Sequence, residues 1–160
     1  MKIRVGFGFD VHQLKSGKAL WLGGIQLKHD KGAVGHSDAD VLIHAICDAL
    51  LGAAGLRDIG FHFPDTSAEF KGIDSKILLA KVNDLLHKEG FFIGNIDCTL
   101  VMEQPKINPH IELMKNTLAG VLKIEATDIG IKATTNEKMG FIGREEGVCA
   151  YAVALIERRQ

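Results

Sequence analysis

The sequence predicts an α+β fold, a single-domain sandwich whose mixed four-stranded sheet carries helices packed on one face. Three observations predict it. Apolar runs of strand length stand near both ends, at Ile3–Phe9 and Val148–Glu157, with others at Ile129–Ala133 and over 91–102. Stretches of helical period lie between them, and the two kinds nearly alternate along the chain. Finally, the 160 residues, 46% hydrophobic and 24% charged, suffice for one core and little more, so residues 1–160 are expected to form one domain.

Taken in order, Ile3–Phe9 reads as a short buried strand, with Gly6 and Gly8 implying a close approach of another backbone. Ala19–Leu22 is a second strand, stopped by Gly23 and Gly24, and a loop runs on to Gly35. From Asp38 to about Ala54 the period becomes helical, with Leu42, Ile46, Ala49, Leu50 and Ala53 on one face and Asp40, His44 and Asp48 on the other. Ser37 or Asp38 is the expected N-cap. A loop over 60–72 precedes a second helix, capped by Asp74 or Ser75 and running to about Lys88. In the strand that follows, Ile96, Cys98, Leu100 and Met102 alternate with polar neighbours. A third helix spans about Pro109–Leu122, before the last two strands.

A net charge of −1, with 19 basic and 20 acidic residues and no basic stripe, excludes nucleic acid as the main partner. The N-terminus has no signal-peptide layout and no run of about 18 apolar residues exists, so no membrane partner is expected. The expected location is cytoplasmic, or stromal if a transit peptide was removed. Cys47, Cys98 and Cys149 stand about fifty residues apart among apolar neighbours, read as core filler and not as a disulfide framework.

The chemistry-bearing residues fall into two groups. Asp10 and His12, two apart at a strand end, point to the same side, and His44 rises from the polar face of the first helix with His36 just before it. One carboxylate and two imidazoles suit Zn²⁺ in a site with an open fourth position, although a histidine taken singly is more often a solvated side chain than a ligand. Asp40 and Asp48 leave two readings open: they orient the ring of His44, or they are simply a solvated helix face. The second group is Lys132–Lys138 with Gly140–Arg144. Adjacent Thr134 and Thr135, exposed amides and nearby cations can hold phosphate, and Glu137 offers a hard oxygen to a second cation such as Mg²⁺. The bland reading of this group is a polar hairpin loop. Met102–Asn108 presents amides and Lys106 ahead of a helix, where an anion or a base edge can dock.

The motifs Gly8-Phe9-Asp10-Val11-His12, His36-Ser37-Asp38-Ala39-Asp40 with His44, Asp58-Ile59-Gly60, Phe63-Pro64-Asp65-Thr66, Pro105-Lys106 and Lys132–Gly147 occur in one order across the whole chain. They closely resemble the cyclodiphosphate synthase family. The resemblance implies Asp10, His12 and His44 as zinc ligands, with Asp10 and His12 also touching substrate, and Glu137 as holder of Mg²⁺ or Mn²⁺. It implies His36 and Thr135 as stabilisers of the transition state. Ser37, Asp58, Ile59, Gly60, Phe63, Pro64, Asp65, Thr66 and Ser67 match the segments around the erythritol. Met102, Glu103, Gln104, Pro105, Lys106, Ile107 and Asn108, with Thr134, Thr135, Asn136 and Glu137, match the cytidine and phosphate contacts, and Phe141 and Arg144 belong to the same region.

The implied reaction closes a cyclic diphosphate from a cytidyl diphosphate substrate with release of CMP. The implied assembly is a homotrimer with active sites between subunits and an isoprenoid diphosphate at its threefold axis. Glu145, in place of the small residue found in parts of the family, adds a carboxylate beside Arg144 and works against that axial anion. Two rival readings are a zinc hydrolase of phosphoanhydrides and a non-enzymatic binder of isoprenoid diphosphates.

Overall fold

The first strand is more than twice the length expected, because its alternation is inverted. In the computed structural model, which describes residues 2–158, β1 runs Lys2–Ser16. Its even-numbered positions face the protein, and two of these are the buried Gly6 and Gly8. Its bulky apolar residues Val5, Phe7 and Phe9 point the other way and are exposed. The segment is thus not the buried strand expected: its backbone is buried and its apolar side chains are not.

The rest of the sheet assembles around β1. Two short strands, β2 (Leu20–Leu22) and β3 (Ile25–Leu27), form a separate antiparallel ribbon, and β4 (Lys31–Val34) pairs with the far half of β1. β3 and β4 lie in the segment expected as loop; three or four residues containing Gly, Lys and Gln carry too little alternation to be seen. The remaining strands are β5 (Phe91–Val101), β6 (Ile129–Thr134) and β7 (Gly147–Arg158). The order is β4-β1-β7-β5-β6, antiparallel except for the β5/β6 pair. The sheet is mixed as expected, with short β4 extending four longer strands to five.

Helices α1 (Val41–Ala54), α3 (Ser75–Lys88) and α4 (Ile111–Leu122) pack on one face, with the one-turn helix α2 (Ile59–His62) between the first two. Helix α1 is not amphipathic in place: besides its expected stripe, Val41, Ile43, Ala45, Cys47 and Leu51 are buried too. It lies under α3 and directly on β1 and β7, so it has almost no solvent face. The expected strand face Ile96, Cys98, Leu100 and Met102 is buried beneath these helices. All three cysteines are buried and free, and burial pushes their thiols up, Cys98 to about 12. Among the described residues, no helix is long and apolar enough to cross a membrane.

Capping differs from expectation. Asp40, not Ser37 or Asp38, caps α1. It is fully buried and accepts hydrogen bonds from the N–H groups of Ile43 (3.0 Å), Gly23 (3.0 Å) and Gly24 (2.7 Å). Burial pushes its carboxyl up, against those N–H groups. Asp40 therefore ties the β2/β3 turn to the start of α1 and is not part of a solvated face.

The contact of β1 with α1 is backbone on backbone. A Cβ at Gly8 would lie 1.9 Å from the Ala45 carbonyl oxygen and 2.7 Å from the Ala49 nitrogen, and one at Gly6 1.9 Å from the Ala49 oxygen. No rotamer relieves such a clash, because the obstacle is main chain. Gly8→Ala is expected to destabilise by about 3 kcal/mol, lowering Tm by roughly 6–12 °C for a chain of this size. An unchanged Tm would show that α1 is free to move off the strand.

Candidate metal centre and the cavity beside it

Beyond Gly8 the inward positions of β1 are Asp10 and His12, and the first turn of α1 brings His44 against them. The spacing of two thus puts both strand residues on the helix side, as expected. Asp10 Oδ2 lies 2.9 Å from His12 Nδ1 and 3.1 Å from His44 Nδ1. One donor atom from each of the three falls within 4.8 Å of the others. A tetrahedral ion with bonds of about 2.0–2.1 Å sets its ligand atoms roughly 3.4 Å apart, so this triangle is of the right size for a metal ion.

The donors are also in a suitable state. Burial opposes charge on Asp10, yet the His12 and His44 imidazoles beside it prevail and lower its pKa. Burial likewise opposes charge on His44, but the hydrogen bond and charge of Asp10 raise it. His12 Nδ1 is buried and makes no hydrogen bond, an uncompensated lone pair that a metal ion would satisfy. The ring fits because residue 35 is glycine: a Cβ there would stand 2.8 Å from His12 Nε2.

Neither Asp40 nor Asp48 orients His44. Asp48 accepts from the Ile59 N–H at 2.8 Å and positions α2. The far nitrogen of His44, Nε2, lies 3.1 Å from both Ser37 Oγ and Ser75 Oγ. Ser75 also donates its hydroxyl to Asp38, whose other oxygen accepts the Ser75 N–H at 2.9 Å. In the sequence, Asp38 and Ser75 carried only a capping signal, and nothing there links residues 37 apart.

A cavity of about 390 Å³ opens beside the triangle. His12, His36, Ser37 and His44 form one wall, and Ile59, Gly60, Phe63 and Asp65 another. The segment expected as the 60–72 loop holds α2 and a 3₁₀ turn at Ala68–Phe70. It is fastened at several places, among them the Gly72 N–H on the His36 carbonyl (2.7 Å) and a Lys81–Glu69 ion pair (3.7 Å). His36 donates Nε2–H to the Ser67 carbonyl at 2.9 Å, and the Lys81 ammonium sits 6.0 and 5.4 Å from the Phe63 and Phe70 rings. Asp58 caps α2 through the Phe61 N–H, while Pro64, Thr66 and Ser67 lie in the loop outside the cavity wall.

The other expected residues gather elsewhere. Met102, Pro105, Lys106, Ile107 and Asn108 line a smaller depression of about 130 Å³ with Thr134 and Thr135. Glu103 holds its edge, accepting from the N–H groups of Asn136 (2.9 Å) and Lys138 (3.2 Å). Gln104 is absent from its wall. Thr135 donates to Glu137 at 3.3 Å. Phe141 and Arg144 line neither cavity; Arg144 pairs with Glu146 through two hydrogen bonds of 3.1 and 3.0 Å.

The two depressions share no lining residue. Val11 pairs with Cys149, Cys149 with Val101 and Val101 with Thr134, so both lie toward one end of the sheet but three strands apart. Three strand spacings make about 14 Å. One chain therefore does not bring Thr135 and Glu137 to Asp10, His12 and His44.

Comparison with known proteins agrees with this arrangement. The model of the YgbB family matches residues 3–157. A 2-C-methyl-D-erythritol 2,4-cyclodiphosphate synthase of Bacteroides thetaiotaomicron is 65% identical over 158 residues, 99% of either chain. Among solved structures, the bifunctional IspDF from Campylobacter jejuni is similar with a TM-score of 0.95 at 40% identity, over 99% of this chain and 43% of that one. The CDP complex of IspF from Plasmodium falciparum is similar with a TM-score of 0.87 at 33% identity, over 99% and 97%. With nearly its whole length matched in sequence and in fold, this chain belongs to the YgbB family.

Proposed function

We propose that the protein converts 4-diphosphocytidyl-2-C-methyl-D-erythritol 2-phosphate to 2-C-methyl-D-erythritol 2,4-cyclodiphosphate and CMP, as a phosphorus–oxygen lyase of the non-mevalonate isoprenoid pathway in the cytoplasm. The observation that carries this reading is the Asp10–His12–His44 triangle opening into a cavity roofed by residues 59–73. Family membership and the name of the Bacteroides relative support it.

In this reaction an oxygen of the 2-phosphate forms a bond to the β-phosphorus. The bond from that phosphorus to the oxygen bridging to the α-phosphate breaks, and CMP leaves with the electron pair. The nucleophile is already anionic, so the need is to align two anions and neutralise charge, not to move a proton. Asp10, His12 and His44 would hold one Zn²⁺ per subunit, which when bound supplies Lewis-acid withdrawal of charge from phosphate oxygen. Glu137 is the residue we assign to a second divalent cation, Mg²⁺ or Mn²⁺. His36 and Thr135 are assigned as hydrogen-bond donors to the crowded phosphorus. His36 already spends its Nε2–H on the Ser67 carbonyl, so it can donate that proton to phosphate once the bond opens. The remaining expected contacts divide between the two depressions. Those of the larger one would enclose the erythritol and exclude water; those of the smaller one would take the cytidine.

The separation of those depressions supports a homotrimer with sites between subunits, the metal supplied by one and Thr135 by its neighbour. So does the free sheet face. Ile3, Val5, Phe7, Phe9 and Val11 of β1 stand there with Tyr151 and Val153 of β7, Phe7 being 64% exposed. An apolar surface of this extent marks an interface. We read residues 1–160 as one domain of that assembly, on the strength of the single core beneath α1. An isoprenoid diphosphate at the axis completes the reading; it has to compete with Glu146 for Arg144, beside a Glu145 that pairs with Lys31 at 3.8 Å.

³¹P NMR of the purified protein with this substrate, Zn²⁺ and Mg²⁺ is expected to show two coupled cyclic-diphosphate resonances as CMP appears. Linear phosphates alone would make it a hydrolase, and unchanged substrate a binding protein. His44→Ala is expected to lose both bound zinc and turnover. Thr135→Ala should keep its zinc while kcat falls about 10²-fold, the cost of one such donor; loss of its zinc would make Thr135 structural. Co-expressed at equal levels, these two inactive variants should regain about a quarter of wild-type activity, the fraction of intersubunit sites drawing both intact residues. No recovery would place the whole site within one chain.

A further inference from the structure

We propose that Ser75 and Asp38 are positioning residues that hold the His44 imidazole in the tautomer presenting a free Nδ1 lone pair to the metal. The inference rests on the metal reading of Asp10, His12 and His44 and deepens it. His44 Nε2 has two hydroxyl neighbours at the same distance, 3.1 Å, yet the two are chemically opposite. Ser75 has one hydroxyl proton, and it is given to the Asp38 carboxylate. What Ser75 offers to Nε2 is therefore a lone pair, made richer by the carboxylate behind it, and Nε2 has to be the donor. Without metal, Nδ1 faces the Asp10 carboxylate at 3.1 Å and shares a proton with it. When a metal ion takes that place, the ring proton that remains is on Nε2, where Ser75 accepts it.

Ser37 favours the reverse. Its oxygen already accepts the Ala39 N–H at 3.1 Å, and its own proton is uncommitted. If it donates to Nε2, the ring proton moves to Nδ1 and points at Asp10 Oδ2, 3.1 Å away, where it blocks the metal. The Asp38–Ser75 pair weighs against that state once a metal ion replaces the Nδ1 proton, and it is built to be rigid. Ser75 is fully buried at the first position of α3, behind the Asp74 cap. Asp38 accepts the Ser75 N–H at 2.9 Å and the Asp40 N–H at 3.2 Å, so its carboxylate is tied to both helix starts.

The test is zinc affinity by chelator competition, together with ¹⁵N-detected imidazole spectra of the zinc-loaded proteins, which read the His44 Nε2–H and its hydrogen bond. For Ser75→Ala, zinc affinity is expected to fall 10–100-fold, with the His44 Nε2–H resonance shifting and exchanging faster with solvent. Asp38→Asn, which keeps the hydroxyl but removes the charge behind it, should lose less affinity in the same direction. It also serves as the second variant if Ser75→Ala folds poorly. Ser37→Ala should bind zinc at least as tightly as the wild type. Wild-type affinity and an unchanged Nε2–H signal in both Ser75→Ala and Asp38→Asn would overturn the proposal. Absence of zinc binding in the wild type would instead overturn the metal reading itself.

Discussion

The site depends on how closely the backbone of β1 approaches the backbone of α1. With glycine at 6 and 8, the strand lies against Ala45, Ala49 and Ala53 with no side chain between. That contact sets the depth of α1, and with it the position of His44, one residue from Ala45, beside Asp10, two residues from Gly8. An intervening side chain would lift the helix and open the triangle. The same strand turns its large residues outward, so the packing that builds the metal centre also creates the exposed apolar face.

A second constraint is electrostatic. A helix buried on nearly every side cannot leave a charge without partners, and each polar group at its start has a defined one. Asp40 is held by three N–H groups, Asp48 by Ile59, and His44 between Asp10 and the two serines. His12 Nδ1 is the exception, buried and without a hydrogen bond where the three donors converge. That orphan, 2.9 Å from Asp10 Oδ2, suits a cation better than internal pairing alone. The loop above it is fastened by weak, separable contacts, among them a hydrogen bond from His36 and the Lys81 ammonium over two rings, which suits a segment that must admit substrate.

Much of this was legible in the sequence. The spacing of Asp10 and His12 implied a shared face, the glycines beside them implied a close backbone approach, and the helical period placed His44 correctly. The alternation of Ile96, Cys98, Leu100 and Met102 marked the central strand. Other local signals misled. Val5, Phe7 and Phe9 looked like core because apolar residues in a strand usually are, whereas they stand on the face of the sheet that no helix covers. Asp40 and Asp48 read either as orienting His44 or as solvated, and neither holds, because helical period says which residues share a face, not which element covers that face. Asp38 and Ser75 both carry the chemistry of a helix cap, and that local role masked their joint one.

By itself, then, the sequence determined the longer elements, the three residues of the candidate metal centre and the family, since these rest on short-range periodicity and on motifs read within a few residues. Tertiary structure alone decided which groups stand behind those ligands and which expected residues do not meet. The pairing of residues 38 and 75, and the three strands between Thr135 and the metal centre, follow from chain topology. The stacking of α3 beside α1 and the order β1-β7-β5-β6 set those distances, and no local pattern of side chains encodes them.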